Sequence, residues 1–168
     1  MTCTSDATEL KKIFGNDFTI QMWINPSAEN SGTPYLFDVT RTINMTIPRF
    51  NADSCDVNVS LNNNGSITLS TPIHVPYDKW THVVMTHNRA DSLITVYTLN
   101  GDTICKATGS AKLNDGQIAS QSRGLMGIGN YAARTSPYPY KGYIDEVRVF
   151  NRCLTQAEIE RNYNHPLV

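Results

Sequence analysis

The chemistry-bearing residues of this chain gather in loops and do not form a constellation of acids and bases. Asn130-Tyr-Ala-Ala-Arg-Thr-Ser-Pro-Tyr-Pro-Tyr140 combines Tyr131, Tyr138 and Tyr140 with Arg134, stiffened by two prolines. Aromatic rings beside a forked guanidinium donor are the residue types that dominate binding hot spots. A second proline-stiffened loop, Thr71 to Lys79, adds His74 and Tyr77 as ligand-binding candidates. Turnover asks for something else. Glycoside hydrolysis needs two carboxylates facing each other across the sugar. Asp145 and Glu146 are adjacent, so a strand would turn them to opposite faces. The histidines at 74, 82, 87 and 165 form no H-E-x-x-H, and neither a G-x-S-x-G elbow nor a phosphate loop is present. We therefore expect recognition and no catalytic residues. Trp23 and Trp80 are tempting sugar platforms, but their places within alternating strands predict core packing.

The elements that must position these loops read as strands. Tyr143 to Phe150 alternates, with Tyr143, Asp145, Val147 and Val149 on one face and Ile144, Glu146, Arg148 and Phe150 on the other. Glu146 and Arg148, two apart, are placed for a surface ion pair. Leu154-Thr-Gln-Ala-Glu-Ile159 then spells a capping box with its hydrophobic staple, so a short helix starts at once and ends near Asn164. Earlier strands are expected over 18–24, 35–40, 44–47, 56–61, 66–70, 80–87, 92–100, 103–108 and 125–129, divided by turn signals such as Asn62-Asn-Asn-Gly65. Residues 1–15 fit a helical turn or a poor strand equally. Short strands with one terminal helix describe an all-β, antiparallel β-sandwich of jelly-roll type.

At 168 residues and 40% hydrophobic content the chain supports one well-buried core, so residues 1–168 are taken as a single domain. A net charge of −1 offers no basic footprint for nucleic acid. No apolar run approaches the roughly 20 residues of a membrane span, and the first residues lack the apolar core of a secretory leader. Cysteines at 3, 55, 105 and 153 have no C-x-x-C spacing. They are either two disulfides or four reduced thiols. Sequons at Asn44, Asn58 and Asn64 favour secretion.

Several segments carry a family resemblance. Lys141-Gly-Tyr-Ile-Asp-Glu-Val-Arg-Val-Phe-Asn-Arg152 running into Leu-Thr-x-x-Glu-Ile resembles the last strand of laminin-G-like domains in the concanavalin A-like lectin/glucanase superfamily. Phe18-Thr-Ile-Gln-Met-Trp-Ile-Asn-Pro26, Trp80-Thr-His-Val-Val84, Leu93 to Gly101 and Gly127-Ile-Gly-Asn130 resemble its other strands, in the family's order. The resemblance implies that Asp145 helps hold a structural calcium ion with backbone carbonyls, although residues 1–15 depart from the family's usual N-terminal strand. It also implies that the first and last strands are neighbours, which favours Cys3 with Cys153 and leaves Cys55 with Cys105. The family's glucanases use a Glu-x-Asp-x-x-Glu spacing that this chain lacks. The expected function is thus non-catalytic carbohydrate recognition or adhesion, extracellular or on a virus particle, with a glycan or glycoprotein partner. The alternative is a structural or protein-interaction domain of a surface assembly, and third a glycoside hydrolase.

Overall fold

The computed structural model describes residues 2–4, 7–39, 42–61, 67, 69–113, 125–132 and 139–166. In chain order the described elements are β1 (Thr2–Thr4), α1 (Ala7–Phe14), β2 (Phe18–Pro26), β3 (Tyr35–Val39), β4 (Ile43–Thr46), β5 (Ser54–Asp56) and β6 (Asn58–Leu61). There follow β7 (His74–Pro76), β8 (Thr81–Asn88), β9 (Leu93–Asn100), β10 (Thr103–Ser110), β11 (Leu125–Ile128), β12 (Gly142–Phe150) and α2 (Gln156–Asn164). The described strands pair antiparallel in two five-stranded sheets, ordered β1-β11-β3-β4-β6 and β10-β9-β8-β2-β12, with β5 and β7 in a short ribbon. This is the expected antiparallel sandwich of jelly-roll type.

Alternation builds the core. Phe18, Ile20, Met22 and Ile24 of β2 are fully buried and meet Phe37, Val39, Ile43, Met45 and Val59 of the first sheet in one cluster. Residues 1–15, undecided from sequence, hold an eight-residue helix, because Leu10 and Phe14 lie one turn apart and both reach the core. Phe14 meets Phe18 edge-on at 5.3 Å and Phe37 at 6.3 Å. Burying one such ring contributes about 2–3 kcal/mol, enough to override a weak local preference.

The outer face of the second sheet carries α2. Thr155 accepts the Glu158 amide and Glu158 accepts the Thr155 amide, so the expected capping box is present. Leu154 and Ile159 are buried in one small cluster with Val84, Tyr97 and Leu99. Thr19, fully buried on β2, donates its hydroxyl to the Arg152 carbonyl at 2.8 Å and accepts the Leu154 amide at 3.0 Å, which fixes the turn from β12 into α2. Replacing Thr155 with alanine is expected to lower stability by about 1 kcal/mol, measured as a shift of the urea midpoint at constant slope.

Four expectations change. The alternation of β12 is broken by a bulge between Asp145 and Arg148, where Glu146 takes a φ of 49°. Tyr143, Asp145, Arg148 and Phe150 therefore share the register of Asn25, Trp23, Gln21 and Thr19, and Val147 and Val149 turn to the core. Glu146 still reaches Arg148 at 2.5 Å. Next, β1 pairs with β11 and not with β12, so the geometric premise for joining Cys3 to Cys153 fails. Cys55, Cys105 and Cys153 are free thiols, Cys55 in the core and Cys105 exposed on β10, so neither expected disulfide is present. Lastly, Trp80 is 43% exposed just ahead of β8, while Trp23 packs under α2 against Tyr163 with ring centroids 5.0 Å apart. The Asn62-Asn-Asn-Gly65 turn lies outside the described residues, although the Ile67 amide returns to the Val59 carbonyl at 2.7 Å.

Candidate functional site

One polar face stands out on the first sheet. In the run from β5 to β6, Cys55, Val57, Val59 and Leu61 turn into the core, so Asp56, Asn58 and Ser60 turn out. In β4, Ile43 and Met45 go in and Asn44 goes out, while Thr46, on the side of Asn44, stays buried. The register aligns Asp38 with Asn44 and Ser60, and Tyr35 with Thr46 and Asn58. Just ahead of β6 in the chain, Asp56 pairs with His74 of β7 in the separate β5–β7 ribbon. A row of carboxylate, amide and hydroxyl groups thus crosses β3, β4 and β6, strands spaced about 4.8 Å apart.

Hydrogen bonds hold that row in place. The Ser60 hydroxyl donates to Asn44 Oδ1 at 2.9 Å, and Asn44 Nδ2 donates to Asp38 Oδ1. Asp38 is fully buried, and its Oδ2 accepts the Ala132 amide at 2.7 Å. The start of the tyrosine-rich loop therefore lies down on the sheet. Gly127 of β11 makes this possible, since a Cβ there would come within 2.6 Å of the Asn130 carbonyl and 3.2 Å of Ala132 Cα. Asn58 is half-buried, and among the described residues its carboxamide has no protein partner.

Aromatic rings flank the row at both ends. Tyr131 packs against Tyr35 with centroids 5.2 Å apart. Phe50, 54% exposed, stacks on His74 at 4.1 Å, and His74 Nδ1 lies 2.6 Å from Asp56 Oδ1. Fixed donors and acceptors between aromatic faces can read the hydroxyls and the apolar C–H face of a sugar ring.

The sequence-predicted residues divide. Tyr131 and His74 fall at opposite ends of this face. Arg134 and Tyr138 lie outside the described residues. Tyr140 is half-buried against the core and donates its hydroxyl to the Tyr143 carbonyl at 3.0 Å, with burial pushing that hydroxyl's pKa up. It anchors the loop's return. Tyr77, expected at a ligand surface, is 7% exposed within the core cluster, because the alternation that turns Val75 inward does the same for Tyr77. Asp145 stands exposed on the other sheet, where its Oδ1 accepts the Glu146 amide at 2.7 Å. Among the described residues no group of three or more His, Cys, Asp or Glu side chains is placed to hold a metal ion.

Sequence reasoning missed Tyr35, Asp38 and Phe50, and registered Asn44, Asn58 and Ser60 only as parts of sequons. The signal was there: Asn44-Met-Thr and Asn58-Val-Ser are also polar-apolar-polar alternations, which place both polar residues on one face of a strand.

A laminin-G model described as the concanavalin A-like lectin/glucanases superfamily matches residues 3–160. No curated protein matches the sequence. Among solved structures, the heptameric SAP-like pentraxin from Limulus polyphemus is 15% identical with a TM-score of 0.61, over 88% of this chain and 69% of that one. A candidate carbohydrate-binding protein from Bacteroides ovatus is 20% identical with a TM-score of 0.62, over 88% of this chain and 40% of that one, so the chain spans well under half its length. The Ruminococcus gnavus IT-sialidase CBM40 bound to α2,3-sialyllactose is 16% identical with a TM-score of 0.57, over 86% and 80%. At these identities the likeness speaks to the fold.

Proposed function

Since the chain belongs to the concanavalin A-like lectin/glucanases superfamily, we propose that it is a non-catalytic module that binds carbohydrate through the outer face of its first sheet. The observation that carries this reading is the hydrogen-bonded row Asp38, Asn44 and Ser60, with the unpartnered Asn58 amide beside it and aromatic rings at both ends. Support comes from structural neighbours that include a carbohydrate-binding module bound to a sialylated sugar and a candidate carbohydrate-binding protein. The row is shallow and polar, which predicts weak single-site binding strengthened by multivalency. Such a module works outside the cell or on a particle surface, where glycans are displayed.

A glycan array on the purified chain tests the reading. The unaltered protein should give a defined set of positive sugars, and Asn58→Ala with Ser60→Ala should lower at least tenfold the signals of those held by the first sheet. An array without positives overturns the proposal in favour of a protein-interaction domain.

Calcium is a separate proposal. Asp145 fits a calcium ion only as one ligand among backbone carbonyls and water, a set that this ion accepts. Bound calcium would tie the chain together and leave the sugar-binding row to do the recognition. Millimolar calcium should then raise the melting midpoint of the chelator-treated protein by several degrees, and Asp145→Asn should remove that rise. Equal midpoints with calcium and with chelator reject it.

A further inference from the structure

A second aromatic cluster lies on the other sheet. Tyr143, second in β12, lies directly opposite Asn25 of β2, and Trp80, just ahead of β8, comes to the other side of Asn25, because Thr81 pairs with Ile24. The two rings face each other across Asn25 with centroids 6.3 Å apart. Tyr143 is 70% exposed and Trp80 43% exposed, unlike the aromatic rings that fill the core. Large side chains seldom stay in water at fixed positions without a reason to be there.

The backbone that carries both rings is tied down. Gly142 has a φ of +130°, and a Cβ there would strike the Asn25 carbonyl, so a glycine is needed to seat Tyr143 beside β2. The Tyr143 carbonyl accepts the Tyr140 hydroxyl at 3.0 Å. On the other side the Asp78 amide donates to the Pro26 carbonyl at 2.9 Å, fixing the turn that delivers Trp80. The polar groups between and beside the rings are free: the Asn25 carboxamide, the Trp80 indole N–H and the Tyr143 hydroxyl have no protein partner among the described residues. Asp78 and Lys79 precede Trp80 in the chain, and Asp145 follows two residues after Tyr143 on the same strand.

We propose that Trp80, Asn25 and Tyr143 form a second sugar-binding site, on the sheet opposite the polar row, that takes a neutral hexopyranose. The apolar face of the sugar packs on the preorganised rings, and its hydroxyls bond the carboxamide, the indole N–H and the phenol. One lysine against two aspartates leaves a net negative charge, which gives an acidic sugar no advantage over a neutral one. Two sites facing away from each other let one chain bridge two glycans. The proposal takes its ligand class from the function proposed above but rests on a different surface.

Trp80 supplies the readout, since covering an exposed indole moves its emission to shorter wavelength. Neutral hexose disaccharides of several linkages are titrated into the unaltered protein and into the Asn58→Ala/Ser60→Ala variant. The expected result is an emission shift in both, with binding weakened at least tenfold by Tyr143→Ala and the shift abolished by Trp80→Phe. Sugar binding that leaves the emission unmoved, or that is untouched by Tyr143→Ala in the double variant, overturns the second site alone. A blank array together with unmoved emission overturns both proposals.

Discussion

Acidification from pH 7 to pH 4 is expected to remove roughly 3 kcal/mol of stability through one side chain, His82. Its imidazole is 1% exposed between the second sheet and α2, with Trp23 at 5.3 Å and Tyr163 at 6.1 Å, and among the described residues its Nδ1 has no hydrogen-bond partner. Burial, and secondarily the charge of Arg148, lower its pKa from 6.5 to about 4. Between those values the unfolded chain takes up a proton that the folded chain refuses, so stability is full above about 6.5 and falls as the pH drops toward 4. Each unit of that window contributes about 1.4 kcal/mol. His87, also buried and also lowered, adds in the same direction. Urea midpoints at pH 7 and pH 4.2 for the unaltered protein and for His82→Leu isolate the effect. The variant should lose markedly less on acidification, and an equal loss in both proteins would show that His82 is not the sensitive group.

Asp38→Ala should cost about 3 kcal/mol and at least a tenfold loss of sugar binding together. The Asp38 carboxyl is fully buried and accepts both Asn44 Nδ2 and the Ala132 amide, so its removal leaves these donors without their acceptor. Asn44 then loses its fixed orientation, and Ala132 loses its tie to the sheet. Asp38→Asn keeps an acceptor for one donor and should fall between. Denaturant midpoints and glycan titration on the same three proteins check this. A variant with an unchanged midpoint would mean that Asp38 does not hold the loop.

The fold was readable because local signals agreed with one another. β2 alternates cleanly, the β8–β9 arm is bounded by turn residues, and Thr155 with Glu158 marks the helix start within one residue. What stayed hidden depends on contacts far apart in the chain. The helix at 7–14 exists because Phe14 finds Phe37, which no local window shows. The bulge at Glu146 re-aims half of β12, and nothing in an alternating string announces one extra residue. Disulfide partners were inferred from strand neighbours, and the sheet order made those neighbours wrong. For the site, attention went to rare residue types in loops, whereas the row that forms uses Asn, Ser and Asp on strands. Asp38, flanked by Phe37 and Val39, looks from sequence like a polar interruption of a core strand; only its register with Asn44 and Ser60 shows what it holds.

The most direct test of carbohydrate binding by the first sheet is amide chemical-shift mapping with the strongest sugar from the array. Shifts should concentrate on Tyr35, Asn44, Asn58, Ser60 and His74 and disappear from them in Asn58→Ala/Ser60→Ala. A bound sugar that leaves these amides unmoved would contradict the account.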